Sequence, residues 1–398
     1  MESTLFTNIL KEKIMEKFKL YGDGIHDDYA GIQELLDSRK ELIELPIPEK
    51  CYLISKTLKI HGGQTLKLSP YTEIYLMEMS NCAMLEDDDF STFKQNICID
   101  GGIWDMNNDK QEPNPWRYAG RDGKTTYDRF KEIGFNIAKA DVLCPVYTGF
   151  CMRFCRVKNF VMKNVTFRNA VTYGVQVSYM ENFTFRDMHF DFHRGAPKLW
   201  NMDGIHVEGN CKNGYICNLK GTCHDDFVAI TADDYGPYGP IENIVVDGVF
   251  AENTHSAVRL LSHGEPVKNI TIKNIFGTYY RYAITLSKYH GGPEERGYME
   301  NISIDNVSAS FVNGTVDVPN IGWPLIYVTS GLDIKSLRIE NVFRNENFSP
   351  SPTLGVEKDT KIDGLILKNL ELINNTGKEM KQVCIDGEVE NFSDLNVD

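Results

Sequence analysis

Arg156–Phe167 reads RVKNFVMKNVTF, Tyr179–Phe190 reads YMENFTFRDMHF, Pro240–Phe250 reads PIENIVVDGVF, Pro266–Phe276 reads PVKNITIKNIF and Tyr298–Val307 reads YMENISIDNV. A polar residue or Asn, three or four alternating apolar positions and, in most copies, a second Asn recur in all five. Weaker copies lie at Cys211–Cys223, Gly331–Val342 and Thr360–Leu372. Asn159 and Asn182 are 23 residues apart, Asn243 and Asn269 are 26, and Asn269 and Asn301 are 32. Self-similarity at such a period marks stacked units rather than one closed core. Within a unit the Val, Ile and Phe alternate with period two, which argues for strands. Asn at the strand ends suits the left-handed backbone of a tight corner. Each copy is therefore expected to be one rung of a single right-handed parallel β-helix.

The repeat also settles the domain count. A chain of 398 residues would otherwise suggest two or three globular units, since single cores stop growing at roughly 250–300 residues. A solenoid escapes that limit, so residues 45–375 are assigned to one β-helix and residues 376–398 to a C-terminal cap or tail. Residues 1–44 form an N-terminal cap: YGDGIHDDYAGIQELL at Tyr21–Leu36 is a Gly/Asp turn leading into a helix that Asp27 or Asp28 could start, and such a helix closes the open end. Met1–Phe18, with Leu5, Ile9, Ile14 and Phe18 apolar, is expected to be a helix packed on that cap.

Composition excludes several partners. With 42 basic and 56 acidic residues the net charge is -14, which opposes binding to a nucleic-acid backbone or an anionic membrane. No window supplies the roughly 18 apolar residues of a membrane helix. The first residues lack the pattern of a secretory leader, so a cytoplasmic location is expected, or a secreted one if a leader has been removed. Ten cysteines show no repeating spacing and no paired CxxC knuckles, and are expected to be free thiols in the core. The sequons at Asn164, Asn182, Asn269 and Asn301 fall at one phase of the rung and are read as corner residues.

Insertions interrupt the repeat at Asp105–Phe135, Asp233–Pro240, Tyr289–Tyr298 and Phe311–Pro324. Loops carry specificity more often than cores. In the longest of these loops, Trp116, Tyr118 and Tyr127, beside Arg117 and Arg121, suit sugar rings, with packing an equal alternative.

Two segments place acids just before apolar strands: Asn201–Glu208 (NMDGIHVE) and His224–Asp234 (HDDFVAITADD). Asp203 and Asp226 are 23 residues apart, about one coil, so they should stack on adjacent rungs with Asp225 beside them. Carboxylates held together cannot all ionise freely, and one raised pKa beside one ordinary one is the division of labour that glycoside hydrolysis needs.

The YGDG…DD…IQ opening, Asn201–Gly204 and the Asp225–Asp226 pair resemble, in order and spacing, the polygalacturonase-like glycoside hydrolases of family 28. The resemblance implies a right-handed β-helix that hydrolyses pectin-type or other uronic-acid-containing oligo- or polysaccharides with inversion. Asp225 would be the general acid, Asp203 and Asp226 would position and deprotonate water, and no cofactor or metal is implied. The family's Gly-His-Gly falls on His255-Ser256-Ala257, its His landing on Ser256. Its Arg-Ile-Lys falls on Thr285-Leu286-Ser287. Arg259 shares the strand phase of Thr285 one rung earlier and is the candidate to replace the lost positive charge. His206 shares that phase on the Asp203 rung, and Lys288, His263 and His290 are close in sequence. The substrate-binding set is therefore His206, Arg259, Lys288, His263 and Trp116. Two other readings compete. One is a polysaccharide lyase with Ca²⁺ on Asp225, Asp226, Asp233 and Asp234; the other is a non-catalytic, tailspike-like carbohydrate binder. Neither the sugar and linkage nor the oligomeric state is written in these motifs.

Overall fold

The computed structural model describes residues 11, 13–137, 140–234, 236–289, 292 and 294–397. Its strands stack in register, every pairing between named strands being parallel, as expected for a right-handed parallel β-helix. One sheet carries the long strands of the repeat, among them Glu181–Asp191, Cys211–Thr222, Ile241–Thr254, Val267–Tyr279 and Gly297–Phe311. A second sheet of eleven strands among the described residues runs beside it and includes Met152–Cys155, Val175–Ser178, Ile205–Val207, Asp226–Thr231, Ser256–Leu261 and Ile284–Ser287.

Register turns the sequence period into columns. In the second sheet Met152, Val175, Ile205, Val228, Val258, Ile284, Ile326 and Leu354 pair one above another, all fully buried. Burying each such side chain stabilises the coil by ~1.5–3 kcal/mol, and no single coil could do so without its neighbours. Gly214 is an exception in the long-strand column, where neighbouring rungs carry Phe183 and Ile244. The Phe183 ring fills its place, and a Cβ at Gly214 would come within 2.3 Å of that ring.

The corners are where the Asn residues sit. Asn96, Asn159, Asn182, Asn213, Asn243, Asn269 and Asn301 all have φ between 55° and 59°. Each side-chain amide donates to the Asn carbonyl oxygen one rung below, at 2.9–3.3 Å from Asn159 onward. A second file at the other strand break holds Asn164, Asn274 and Asn306, also at positive φ. The sequon asparagines are thus corner residues, as expected, but they do not share one phase: Asn182, Asn269 and Asn301 stand in the first file and Asn164 in the second.

The ends depart from expectation at one side. The helix Tyr29–Asp37 packs Ile32, Leu35 and Leu36 on the first rungs, and the carboxylate of Asp28 accepts from the backbone of Tyr21, Gly22 and Leu53. Lys13–Lys17 are helical, whereas Leu5 and Ile9 lie outside the described residues. At the other end, Val383–Ile385 and Glu388–Val397 continue both sheets past residue 375, where a cap or tail was expected. Among the described residues this coil pairs on one side only; its strand is polar (EVENFSDLNV) and mostly exposed, and the apolar alternation that identifies a rung is weak there.

The ten cysteines are free, and Cys144, Cys151, Cys155, Cys211 and Cys223 are buried. Among the described residues no helix is long and apolar enough to cross a membrane.

Candidate active site

The outward column of the second sheet differs from the inward one. Gln176, His206, Ala229, Arg259, Thr285 and Tyr327 stand in one register. Arg259 therefore does share the phase of Thr285, and His206 lies two rungs before Arg259. Where this column meets the turns that enter the strands, a cleft of ≈ 360 Å³ opens, within the ~300–1,000 Å³ of small-ligand sites. Asp203, Asp225 and Asp226 all line it, as do His206, Arg259 and Trp116.

Gly204 explains how the acids come together. Its N–H donates to Asp226 O at 2.9 Å, and a Cβ there would lie 2.5 Å from Phe227 O, so only glycine lets the two acid-bearing turns close on each other. The Asp226 N–H then donates to Asp203 Oδ1 at 3.3 Å. Asp203 Oδ2 is 2.7 Å from His206 Nδ1, and the His206 ring stacks on Tyr173 at 4.5 Å between centroids. Asp226 is fully engaged: Oδ1 accepts from Ser256 Oγ at 2.5 Å and Tyr282 OH at 3.2 Å, while Oδ2 accepts from Arg259 Nε.

These surroundings separate the three carboxyls. Burial, reinforced by Asp226, pushes Asp203 well above the usual carboxylate range. Burial, then the charges of Asp203 and Asp226, does the same to Asp225. Burial would also raise Asp226, but Arg259 and the Ser256 hydroxyl outweigh it and hold Asp226 below its ordinary value. Exposure separates them too: the Asp225 side chain keeps 24% of its surface open, against 2% for Asp203 and 1% for Asp226. Of the two carboxyls whose pKa is raised, Asp203 and Asp225, only Asp225 opens to the cleft.

Two predicted placements fail, and a third falls outside the described residues. Lys288 does not line the cleft; its ammonium donates to Gly292 O at 3.1 Å and its stem lies against Gly331. His263 is likewise outside the lining, in a turn where its backbone N–H donates to Asp233. His290 lies outside the described residues. The four-acid calcium set is not assembled either, because Asp233 turns away to accept from the backbone of His263 and Glu265 at 2.7 Å, while Asp234 lines the cleft.

Other cleft residues were missed. His255 Nδ1 sits 3.6 Å from Asp225 Oδ1, and burial pushes its pKa down to about 3, so it is neutral. The register pairs Asp226 with Ser256, which places His255 over Asp225; the one-residue offset from the expected His hid it. Asp225, Asp226 and His255 bring three possible metal-ligand atoms within 4.8 Å of one another. Arg281, Tyr282, Tyr289 and Trp323 complete the far wall. Their only sequence signal was membership in, or closeness to, the insertions at Tyr289–Tyr298 and Phe311–Pro324. On the near wall the long insertion contains a helix, Thr126–Ile133, started by a Thr125/Asp128 capping box and ended by Gly134 in the left-handed conformation. It backs Trp116, whose Nε1 donates to Thr148 O at 3.0 Å, while Asn114 in the same insertion donates to Asn201 at 3.2 Å and ties it to the acid rung. Arg121 remains outside the cleft.

Residues 143–236, which hold both acid-bearing turns, match the sequence pattern of Glycosyl hydrolases family 28. Among solved structures, a hyperthermoactive exopolygalacturonase from Thermotoga maritima is similar at a TM-score of 0.65 and 16% identity, over 95% of this chain and 96% of that one. A family 28 exopolygalacturonase from Yersinia enterocolitica follows at 0.59 and 15%, over 94% and 77%. The A-module of a mannuronan C-5 epimerase from Azotobacter vinelandii is similar at 0.56 and 12%, over 96% and 99%. At these identities the likeness is one of fold, and that fold hosts more than one chemistry. No curated protein matches the chain.

Proposed function

For this divergent, family-28-like β-helix we propose hydrolysis of glycosidic bonds in a pectin-type or other uronic-acid-containing oligo- or polysaccharide, with Asp225 as general acid. The observation that carries the reading is the split between neighbouring carboxyls: Asp225, raised by burial and its acidic neighbours, is open to the cleft, and Asp226, held low by Arg259, is enclosed and pinned. Two titratable groups whose environments drive their pKa values apart are the usual mark of an acid/base pair. The matched stretch, residues 143–236, contains Asp203, Asp225 and Asp226 and supports the same assignment.

In this reading the Asp225 proton passes to the glycosidic oxygen as the bond to the anomeric carbon breaks. Water adds to that carbon and gives up its proton to Asp226, with Asp203 holding the water from the neighbouring rung. Solvent then returns a proton to Asp225 and removes one from Asp226. Arg259 keeps Asp226 ionised and the neutral His255 sits beside the acid.

The nearest oxygens of Asp225 and Asp226 fall within 4.8 Å, shorter than the ~6.5–9.5 Å between the carboxyls of most inverting pairs. Inversion therefore depends on Asp226 being pinned by Ser256, Tyr282 and Arg259 and unable to attack the sugar itself. Proton NMR of the first-formed anomer during cleavage of oligogalacturonides tests both parts. An inverted product from wild type, and none from Asp225→Asn, is expected. No cleavage of any uronide would reject the hydrolase reading, and a retained anomer would make Asp226 a nucleophile.

A further inference from the structure

Three arginines line the cleft, and their surroundings differ. Arg259 is engaged by Asp226, and only 8% of its side chain is exposed. Arg117 is exposed and lies over the ring of Trp200 at 5.1 Å. Arg281 sits over the ring of Trp323 at 5.1 Å, and Trp323 in turn stacks on Tyr282 at 5.9 Å. The Arg281 backbone is fixed, its N–H donating to His255 O at 3.1 Å, beside the residue that faces Asp225. Its Nη1 is buried and has no hydrogen-bond partner among the described residues.

A buried guanidinium N–H without an acceptor is costly, because desolvation is suffered with no bond to offset it. The planar fork of arginine matches a carboxylate, and the face of a tryptophan holds the fork in place. The positions expected to carry positive charge, Thr285 and Ser287, are hydroxyls that donate to Tyr327 O and Leu260 O at 2.9 Å. They bring no charge to the cleft. A uronate entering among Asp203, Asp225, Asp226 and Asp234 needs a cation that is not already neutralised.

We infer that Arg281, held against Trp323, receives the carboxylate of a uronic-acid residue of the substrate. The inference rests on the hydrolase reading of this cleft. It replaces Arg259, the cation that the strand register points to, with one from the turn before the next strand. Arg259 then serves Asp226, and the substrate's charge is read by a residue outside the repeat.

The test measures binding, by calorimetry, to full-length protein carrying Asp225→Asn so that turnover does not interfere. The probes are trimers of galacturonate, glucuronate and mannuronate and their carboxyl-reduced counterparts. At least one uronate should bind, and carboxyl reduction should weaken it about 10- to 100-fold. Adding Arg281→Gln should weaken the uronate equally and the reduced trimer less than about twofold, so that the two losses do not add. Arg281→Lys should restore part of the affinity, and thermal unfolding should confirm that each variant folds. Tighter binding of reduced trimers, equal loss for both kinds, a loss that follows Arg117→Gln while Arg281→Gln is silent, or no uronate binding would each overturn the assignment. Uronate binding through Arg281 in a wild-type protein that cleaves no glycan would instead reject hydrolysis and leave the carboxylate receptor standing.

Discussion

The two columns of the second sheet occupy the same strands one residue apart, yet they differ in kind. Inward, Val175, Ile205, Val228, Val258 and Ile284 are nearly interchangeable; outward, Gln176, His206, Ala229, Arg259 and Thr285 share no chemistry. The inward column repeats because each residue meets the same environment one rung up and one rung down. The outward column is covered by inserted loops and the acid-bearing turns, which change at every coil. Repetition builds the scaffold, and the site lies where repetition stops.

The largest expected effect lies on the outward side. Asp225→Asn should lower kcat/KM by about 10² to 10⁴-fold, the usual contribution of a general acid. The same variant should melt higher than wild type near neutral pH. The folded-state pKa of Asp225 is raised above the ordinary carboxylate value, so above that value folding must either take up a proton or bury a charge. The gain should shrink as pH falls through about 4 and vanish below about 3, where folded and unfolded carboxyls are both protonated. Differential scanning calorimetry across that range checks the sign; a destabilised variant at pH 7 would contradict the raised pKa.

Inward changes should do the reverse. Ile205→Ala, fully buried between Val175 and Val228, should cost about 2–5 kcal/mol in denaturant unfolding while the surviving folded protein retains its affinity for substrate. A loss of activity much larger than the loss of folded protein would blur the distinction between the columns.

A subtler break comes through Arg259→Gln, which removes the counter-charge of Asp226. Burial is then no longer offset, the Asp226 pKa rises, and the acid limb of the kcat/KM profile should move to higher pH. The alkaline limb follows Asp225, above the usual carboxylate range, with activity falling as pH rises through it; it should move up less than the acid limb, because Arg259 only opposes the burial and the Asp203 and Asp226 charges that set the Asp225 pKa. An unmoved acid limb would remove Arg259 from that role.

The smallest effect is expected at the corners. Asn243→Ala keeps a φ of 59° that Ala adopts poorly and breaks two links of the amide file, costing about 1–2 kcal/mol with turnover unchanged.

The same division governs what could be read from the chain. Rungs, corner asparagines and the Asp203/Asp226 stack were legible, since each depends on a period or on a motif carried by one coil. His255 was missed because a residue in a turn need not keep the phase of the strand it enters. Arg281 and Trp323 were missed because they approach from a turn and an insertion, and no period ties them to Asp225. Lys288 and His263 were close in sequence to the right strands, but their side chains follow the local turn rather than the sheet.

Coil length has a consequence for how such a molecule can change. The coil from Asp203 to Asp226 is a bare 23 residues, whereas Thr285 and Tyr327 on adjacent strands are 42 residues apart, a coil that carries the excursion with Trp323. Extra chain in the longer coil leaves the spacing between acid-bearing turns untouched, because that spacing is set within one short coil and by Gly204. Lineages of this solenoid can therefore rewrite the walls of the cleft by insertion and deletion while the reactive centre is inherited intact.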